Sequence, residues 1–335
     1  LFSVVLSYVF SAKTSLINAY KNNYITTSIS SIGMIVQYVL QIITIITTKS
    51  FTIYLCCRIV AMLLQWGITE AYSYKHYKSI LIHDKEIVDG TTKKEIVNKV
   101  KALFMHRIGG ILVNSADSII ISAFIGVVLL GKYSNYSSIA VSMSSVLALV
   151  FSPLTSIIGH AYVSEKEKTE QYFQKLYFLN FVLGVVFFLG YYAVIDDLVL
   201  ILFGSNLRLS KSVSFIVATN YFVQFMRQST LLFRDATGTF YNDRWKPFFE
   251  GTLNVILSIA FVKIFAHFGG DEIGVVGVIV ATVFTNLLIC HIVEPYVLYR
   301  YAFHESVKKH LIQNYIYIGI FIISALIVSR LIQVY

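Results

Sequence analysis

Charge is scarce in this chain. Only 13% of its 335 residues are Asp, Glu, Lys or Arg, against about 25% in an ordinary soluble domain. Cysteine is scarcer still. Cys56 and Cys57 fall in one apolar run and Cys290 in another, which excludes a disulfide framework and a zinc-ligand pattern. No Gly-rich phosphate loop with its Lys, no HExxH and no GxSxG occurs, so the sequence carries no catalytic motif and no recognisable ATP site. Any pumping would then draw on an ion gradient or on the substrate's own. The eight His residues are scattered, mostly near the ends of apolar runs, and offer neither a metal set nor a cofactor site. Nothing reads as a cleavable signal peptide.

Apolar sequence is what the chain has in abundance, at 56% of residues. It comes in about ten stretches of roughly twenty residues, the length a helix needs to cross the hydrocarbon layer. The expected spans are Leu1–Ala19, Thr26–Thr47, Ser50–Ser73, Phe104–Gly126, Tyr133–Tyr162, Leu176–Ile195, Val213–Phe233, Pro247–Phe268, Gly274–Tyr296 and Ile312–Ile332. A backbone crossing lipid must satisfy its own hydrogen bonds, so spans are helices or closed barrels. Runs such as IGVVGVIVATVF lack the alternation of barrel strands. The expected fold is therefore all-α, a polytopic transmembrane bundle, with no room for a separate soluble domain. The chain does not begin with Met, and only twelve residues precede Lys13. It is expected to be a piece of a longer protein, cut inside or just before a helix.

The net charge of +9 points to topology rather than to nucleic acid, because the basic residues sit in alternate loops. One side holds 19 of the 27: Lys13, Lys21, Lys75, Lys78, Lys85, Lys93, Lys94, Lys99, Lys101, Arg107, Lys166, Lys168, Lys175, Arg234, Arg244, Lys246, Arg300, Lys308 and Lys309. Lys49, Arg58, Lys132, Arg208, Lys211, Lys263 and Arg330 lie on the other. The richer side is expected to be cytoplasmic and in contact with anionic lipid. Between Tyr74 and Met105, Ile96, Val97, Val100, Leu103 and Phe104 recur at helical spacing among lysines. That pattern predicts a basic amphipathic helix on the inner leaflet. It divides the chain into residues 1–91, with about three spans, and 92–335, with the amphipathic helix and about seven more.

Ionisable residues inside spans are the candidate functional positions, since each costs a few kcal/mol at the bilayer centre. Asp117 lies in NSADSIII of the fourth span; it serves either a functional site or a packing pair with Arg or hydroxyls. Arg227, in FVQFMRQS, is deep in the seventh span and favours a cavity. Arg58 has either a cavity role or a snorkelling one, and Arg107 either a site role or a topology role. Glu70, Glu250 and Glu294 lie near inner ends, where snorkelling or pairing with local Lys and Arg is the simpler reading. Asp196 and Asp197 read as a solvated helix terminus. Arg58, Arg107 and Arg227 together would suit an anionic group such as phosphate, which the guanidinium fork binds bidentately. Ala140, Ser144, Ala148 and Ser152 form a small-residue stripe, repeated by Gly277 and Ala281, that allows close helix approach. Pro153 is expected to bend the fifth span.

Several stretches resemble a known family. KALFMHRIGGILVNSADSIIISAFIG with the following GKYSNYSSI resembles the helix pair that opens the second lobe of bacterial polysaccharide-biosynthesis flippases. YVFSAKTSLINAYKNNYI looks like their fourth helix and its inner loop, and RDATGTFYNDRWKPFFEGTLNVILSI like a later loop-and-helix. The resemblance implies the superfamily of lipid-linked oligosaccharide flippases and multidrug exporters, with two helical lobes and twelve to fourteen helices around a cavity. On that mapping about three helices are missing before Leu1, with room for one after Tyr335.

The implied activity is movement of an undecaprenyl-pyrophosphate-linked oligosaccharide from the cytoplasmic to the outer leaflet of the bacterial cell membrane. Arg58, Arg107 and Arg227 would hold the head group, and Asp117, at the family's recurrent acidic position, would serve proton or sodium coupling or pair with Arg. An ion-coupled multidrug exporter and a membrane glycan polymerase are the competing expectations.

Overall fold

The computed structural model describes residues 11, 13–17, 20, 22–83, 90, 93, 97, 115–151 and 154–334. Among them every regular element is helical. The chain divides into two compact units, Leu1–Lys93 and Lys94–Tyr335.

In the first unit, α1 (Asn23–Thr48) and α2 (Phe51–His83) form an antiparallel hairpin. Lys49 closes α1 in the left-handed conformation (φ 50°), and its N–H returns to the Ile45 carbonyl. Polar contacts join the two helices: Gln41 Nε2 donates to the Tyr54 carbonyl at 3.4 Å, and Thr44 Oγ1 lies 3.2 Å from Cys57 Sγ. Nearer the chain start, Lys13 pairs with Glu70, and Asn22 Nδ2 donates to Tyr77 Oη at 2.7 Å. α2 runs ten residues past the expected end at Ser73 and departs from helical geometry at Tyr77 (φ −124°, ψ 23°).

The second unit begins, among the described residues, with a short apolar helix, α3 (Ser115–Phe124). It continues through α4 (Val127–Phe151), α5 (Leu154–Ser164), α6 (Thr169–Phe203), α7 (Lys211–Met226) and α8 (Gln228–Thr237). α9 (Lys246–Thr285), α10 (His291–Leu298) and α11 (Lys308–Val334) complete it, with π-helical turns at Asn286–Cys290 and Tyr299–Phe303 on either side of α10. Aromatic packing fixes the interior. Phe222 of α7 stacks on Phe321 of α11 at 3.9 Å, and Phe173 of α6 meets Phe233, Tyr299 and Phe303.

Among the described residues six helical runs are long and apolar enough to cross a membrane, as expected of a multi-pass membrane protein. The longest, Lys246–Phe303, holds 58 residues. It turns back on itself at Gly270 (φ 78°, ψ −175°), a conformation open essentially to glycine alone. Its two legs correspond to the eighth and ninth expected spans. The seventh expected span is helical from Lys211 to Thr237, tightened by one turn at Arg227, whose backbone stays right-handed (φ −73°, ψ −17°) and divides it into α7 and α8. Only Ser115–Phe124 of the fourth is described as helix. Most of Leu1–Ala19, the amphipathic helix after residue 92, Arg107 and Pro153 lie outside the described residues. Ten spans are therefore not counted among them.

Asp196, read above as solvated, ties together the end of the second unit opposite to the loops rich in Lys and Arg. Its Oδ1 accepts from Ser214 Oγ at 2.6 Å and from Tyr136 Oη at 3.2 Å, while Tyr136 Oη accepts from the Leu209 N–H at 3.0 Å. Tyr136→Phe leaves a buried N–H without an acceptor. The expected cost is about 1–3 kcal/mol, read as a lowered unfolding midpoint of the detergent-solubilised protein.

Candidate functional site

Two polar stripes face each other across the α9 hairpin. On the first leg Lys246, Glu250, Asn254 and Ser258 recur every four residues, and all four are buried. Side chains four apart stand on one helix face, so the stripe is continuous along the leg. On the returning strand of chain Thr282, Asn286, Cys290 and Glu294 recur at the same interval and are buried too. The π-helical turn Asn286–Cys290 lies within this second stripe, an irregularity that frequently marks functional sites.

The legs pack closely because one of the small residues is glycine. A Cβ built on Gly277 would lie 2.6 Å from the Phe261 carbonyl oxygen, so only glycine fits there. This is the close approach expected from Gly277 and Ala281. It brings Asn254 Nδ2 to donate to Thr282 Oγ1 at 2.9 Å.

Arg227 joins one end of this seam from the tightened turn between α7 and α8. Its Nε and Nη2 donate to Glu294 Oε2 at 3.1 Å and Oε1 at 2.6 Å, a bidentate fork. Its Nη1 donates to Asn286 Oδ1 at 2.6 Å and lies 3.5 Å from Glu250 Oε1. Lys246 Nζ pairs with Glu250 Oε2 at 3.1 Å and also with Glu294. Glu294 is 1% exposed at its side chain, Lys246 and Glu250 each 5%, and Arg227 15%. Two cations and two carboxylates, withdrawn from solvent, thus compensate one another. An apolar replacement of similar volume is often no less stable, so stability alone does not account for such a set.

Asp117 of α3 joins the seam further along. Its Oδ1 accepts from Thr282 Oγ1 at 2.7 Å, extending the Asn254–Thr282 contact. Asn254 Oδ1 and Ser258 Oγ are buried without a hydrogen-bond partner among the described residues. One carboxylate among hydroxyl and amide oxygens is a hard-oxygen set, suited to carrying a proton or a hard cation.

The structure places the sequence-predicted residues unevenly. Arg227 and Asp117 both touch the seam, in the second unit. Arg58 belongs to the first unit; it is exposed and has no ion pair among the described residues. Arg107 and Pro153 are not among the residues described. The sequence reading missed Lys246, which looked like a loop charge before Pro247, together with Asn254, Ser258, Thr282 and Asn286. It took Glu250 and Glu294 for groups snorkelling or pairing near inner ends. The missed signal was the four-residue period of polar groups within apolar runs. No family model, no curated protein and no solved structure matches the chain.

Proposed function

We propose that this chain belongs to a membrane transporter that moves a prenyl-pyrophosphate-linked oligosaccharide from the cytoplasmic to the outer leaflet of a bacterial cell membrane by alternating access. The observation that carries the proposal is the buried seam of ionisable groups inside an apolar helical bundle. Charges at such depth are expensive and mark substrate or ion pathways. The guanidinium fork that holds Glu294 is also the geometry that receives a phosphate oxygen pair. In one state of the cycle Glu294 occupies the fork; in the other the anionic head group takes its place, while the prenyl chain stays in lipid. Asp117, bonded to Thr282 beside the unpartnered oxygens of Asn254 and Ser258, supplies the coupling position for a proton or sodium ion. The substrate class rests on the resemblance described above.

A second reading, an ion-coupled multidrug exporter, draws support from the acidic members of the seam, since Asp117, Glu250 and Glu294 would suit a cationic cargo. The experiment that separates the readings deletes the full-length gene from its host and assigns the extracted lipid-linked glycans to a leaflet. Intact repeat units should accumulate on the cytoplasmic leaflet, relieved by the wild-type gene and not by Arg227→Ala. Units that reach the outer leaflet unpolymerised would instead identify a polymerase. Unchanged lipid-linked glycans with heightened drug sensitivity would identify the exporter.

A further inference from the structure

At the end of the second unit rich in Lys and Arg, the chain turns from α10 into α11 around a pocket of about 590 Å³. That is the size of many small-ligand sites. The turn has a defined shape. The π-helical segment Tyr299–Phe303 ends at His304 in the left-handed conformation (φ 59°), and the Glu305 N–H bonds back to the Tyr299 carbonyl at 3.1 Å. Arg300 and Lys308 line the pocket with a single carboxylate, Glu305, and with Tyr296, Tyr299 and Ser306. Lys308 also opens α11, whose first N–H groups have no partner within the helix and add positive potential. The wall is rigid. Tyr299 is buried, its hydroxyl donating to Glu170 at 3.0 Å and accepting from Gln174 at 2.6 Å, both on α6.

An apolar track leads away from the pocket. Tyr296, Ile292 and Leu288 are exposed at four-residue intervals along one side, and Ile312 and Ile316 along α11. The two stretches are held together by the Tyr315 hydroxyl donating to the Leu287 carbonyl at 2.9 Å and by His291 meeting Asn314 at 3.0 Å. A cationic, tyrosine-lined pocket at the base of an exposed apolar track has the amphiphilic pattern of a phospholipid.

We propose that this pocket binds the phosphate ester of an anionic phospholipid in the inner leaflet. Arg300 and Lys308 neutralise the phosphate, Ser306 and the start of α11 offer hydrogen bonds, and the acyl chains lie along the isoleucine track. This is a site separate from the seam, and it stands whether or not the transport proposal holds.

The test uses the whole protein in phosphatidylcholine nanodiscs, with phosphatidylglycerol added and its retention measured by native mass spectrometry. Arg300→Ala with Lys308→Ala should weaken retention about thirtyfold, the product of two lost basic contacts. Ser306→Asp, which alters only the loop, should weaken it as well. Lys263→Ala with Arg330→Ala, remote from the pocket, should leave it unchanged. Undiminished retention in both pocket variants would overturn the proposal. Displacement of the lipid by an equal concentration of inorganic phosphate would also overturn it, by identifying a soluble ligand.

Discussion

Glu294→Ala is expected to cost about 3–5 kcal/mol, because it leaves two buried cations facing a single carboxylate. Arg227 would lose both bonds of its fork, and Lys246 would lose one of its two carboxylates. The Asn286 contact at 2.6 Å and the more distant Glu250 cannot replace a bidentate carboxylate. The readout is a lowered unfolding midpoint and loss of monodisperse protein in detergent. The complementary variant should behave oppositely. Replacing Arg227, Lys246, Glu250 and Glu294 together by Met, with Asn286→Leu to remove the amide that accepts from Arg227, takes away all four charges of the cluster at once. That protein should unfold near the wild-type midpoint, since whole buried ion clusters often exchange for apolar packing at little cost. A similar large loss in both variants would mean that the cluster is needed for stability itself.

Gly277→Leu should destabilise the protein as well. The new Cβ would meet the Phe261 carbonyl oxygen at 2.6 Å and Phe265 Cβ at 2.9 Å, and the carbonyl is backbone that cannot swing aside. Overpacking of this kind costs roughly 1–3 kcal/mol. It would also spread the two legs where Asn254, Thr282 and Asp117 are in hydrogen-bond contact. Gly319→Leu on α11, where an added Cβ meets nothing within 4 Å, is the control expected to leave the midpoint near wild type. Equal midpoints for the two variants would show that the legs are not tightly apposed.

These two sites also show what could be read from sequence. The apolar runs fixed where helices would lie, and the rule that charges in lipid are costly picked out Asp117 and Arg227 without knowledge of any partner. Gly277 was legible as one of a pair of small residues, although nothing in the chain says which backbone it approaches. Lys246 was not legible as a buried group. Standing before Pro247 at the start of a span, it looks like an interfacial charge, and its partner Glu294 is distant in sequence. Asn254, Ser258, Thr282 and Asn286 are uncharged, so a search for intramembrane charge passes over them. Their four-residue spacing acquires meaning only when the turn at Gly270 sets one leg against the other. Arg227 illustrates the same limit. Its depth in the bundle could be inferred, but its engagement with Glu294 is a property of tertiary packing.

The most direct test of the seam as a transport element is a translocation assay in proteoliposomes. Full-length wild-type protein and the five-residue apolar variant, each verified as folded, are supplied with prenyl-pyrophosphate-linked oligosaccharide in one leaflet. Its appearance in the other leaflet is followed over time. The wild type should translocate the lipid and the variant should not, despite its intact fold. Equal translocation by the two proteins would contradict the proposal and leave Arg227, Lys246, Glu250 and Glu294 with a structural role alone.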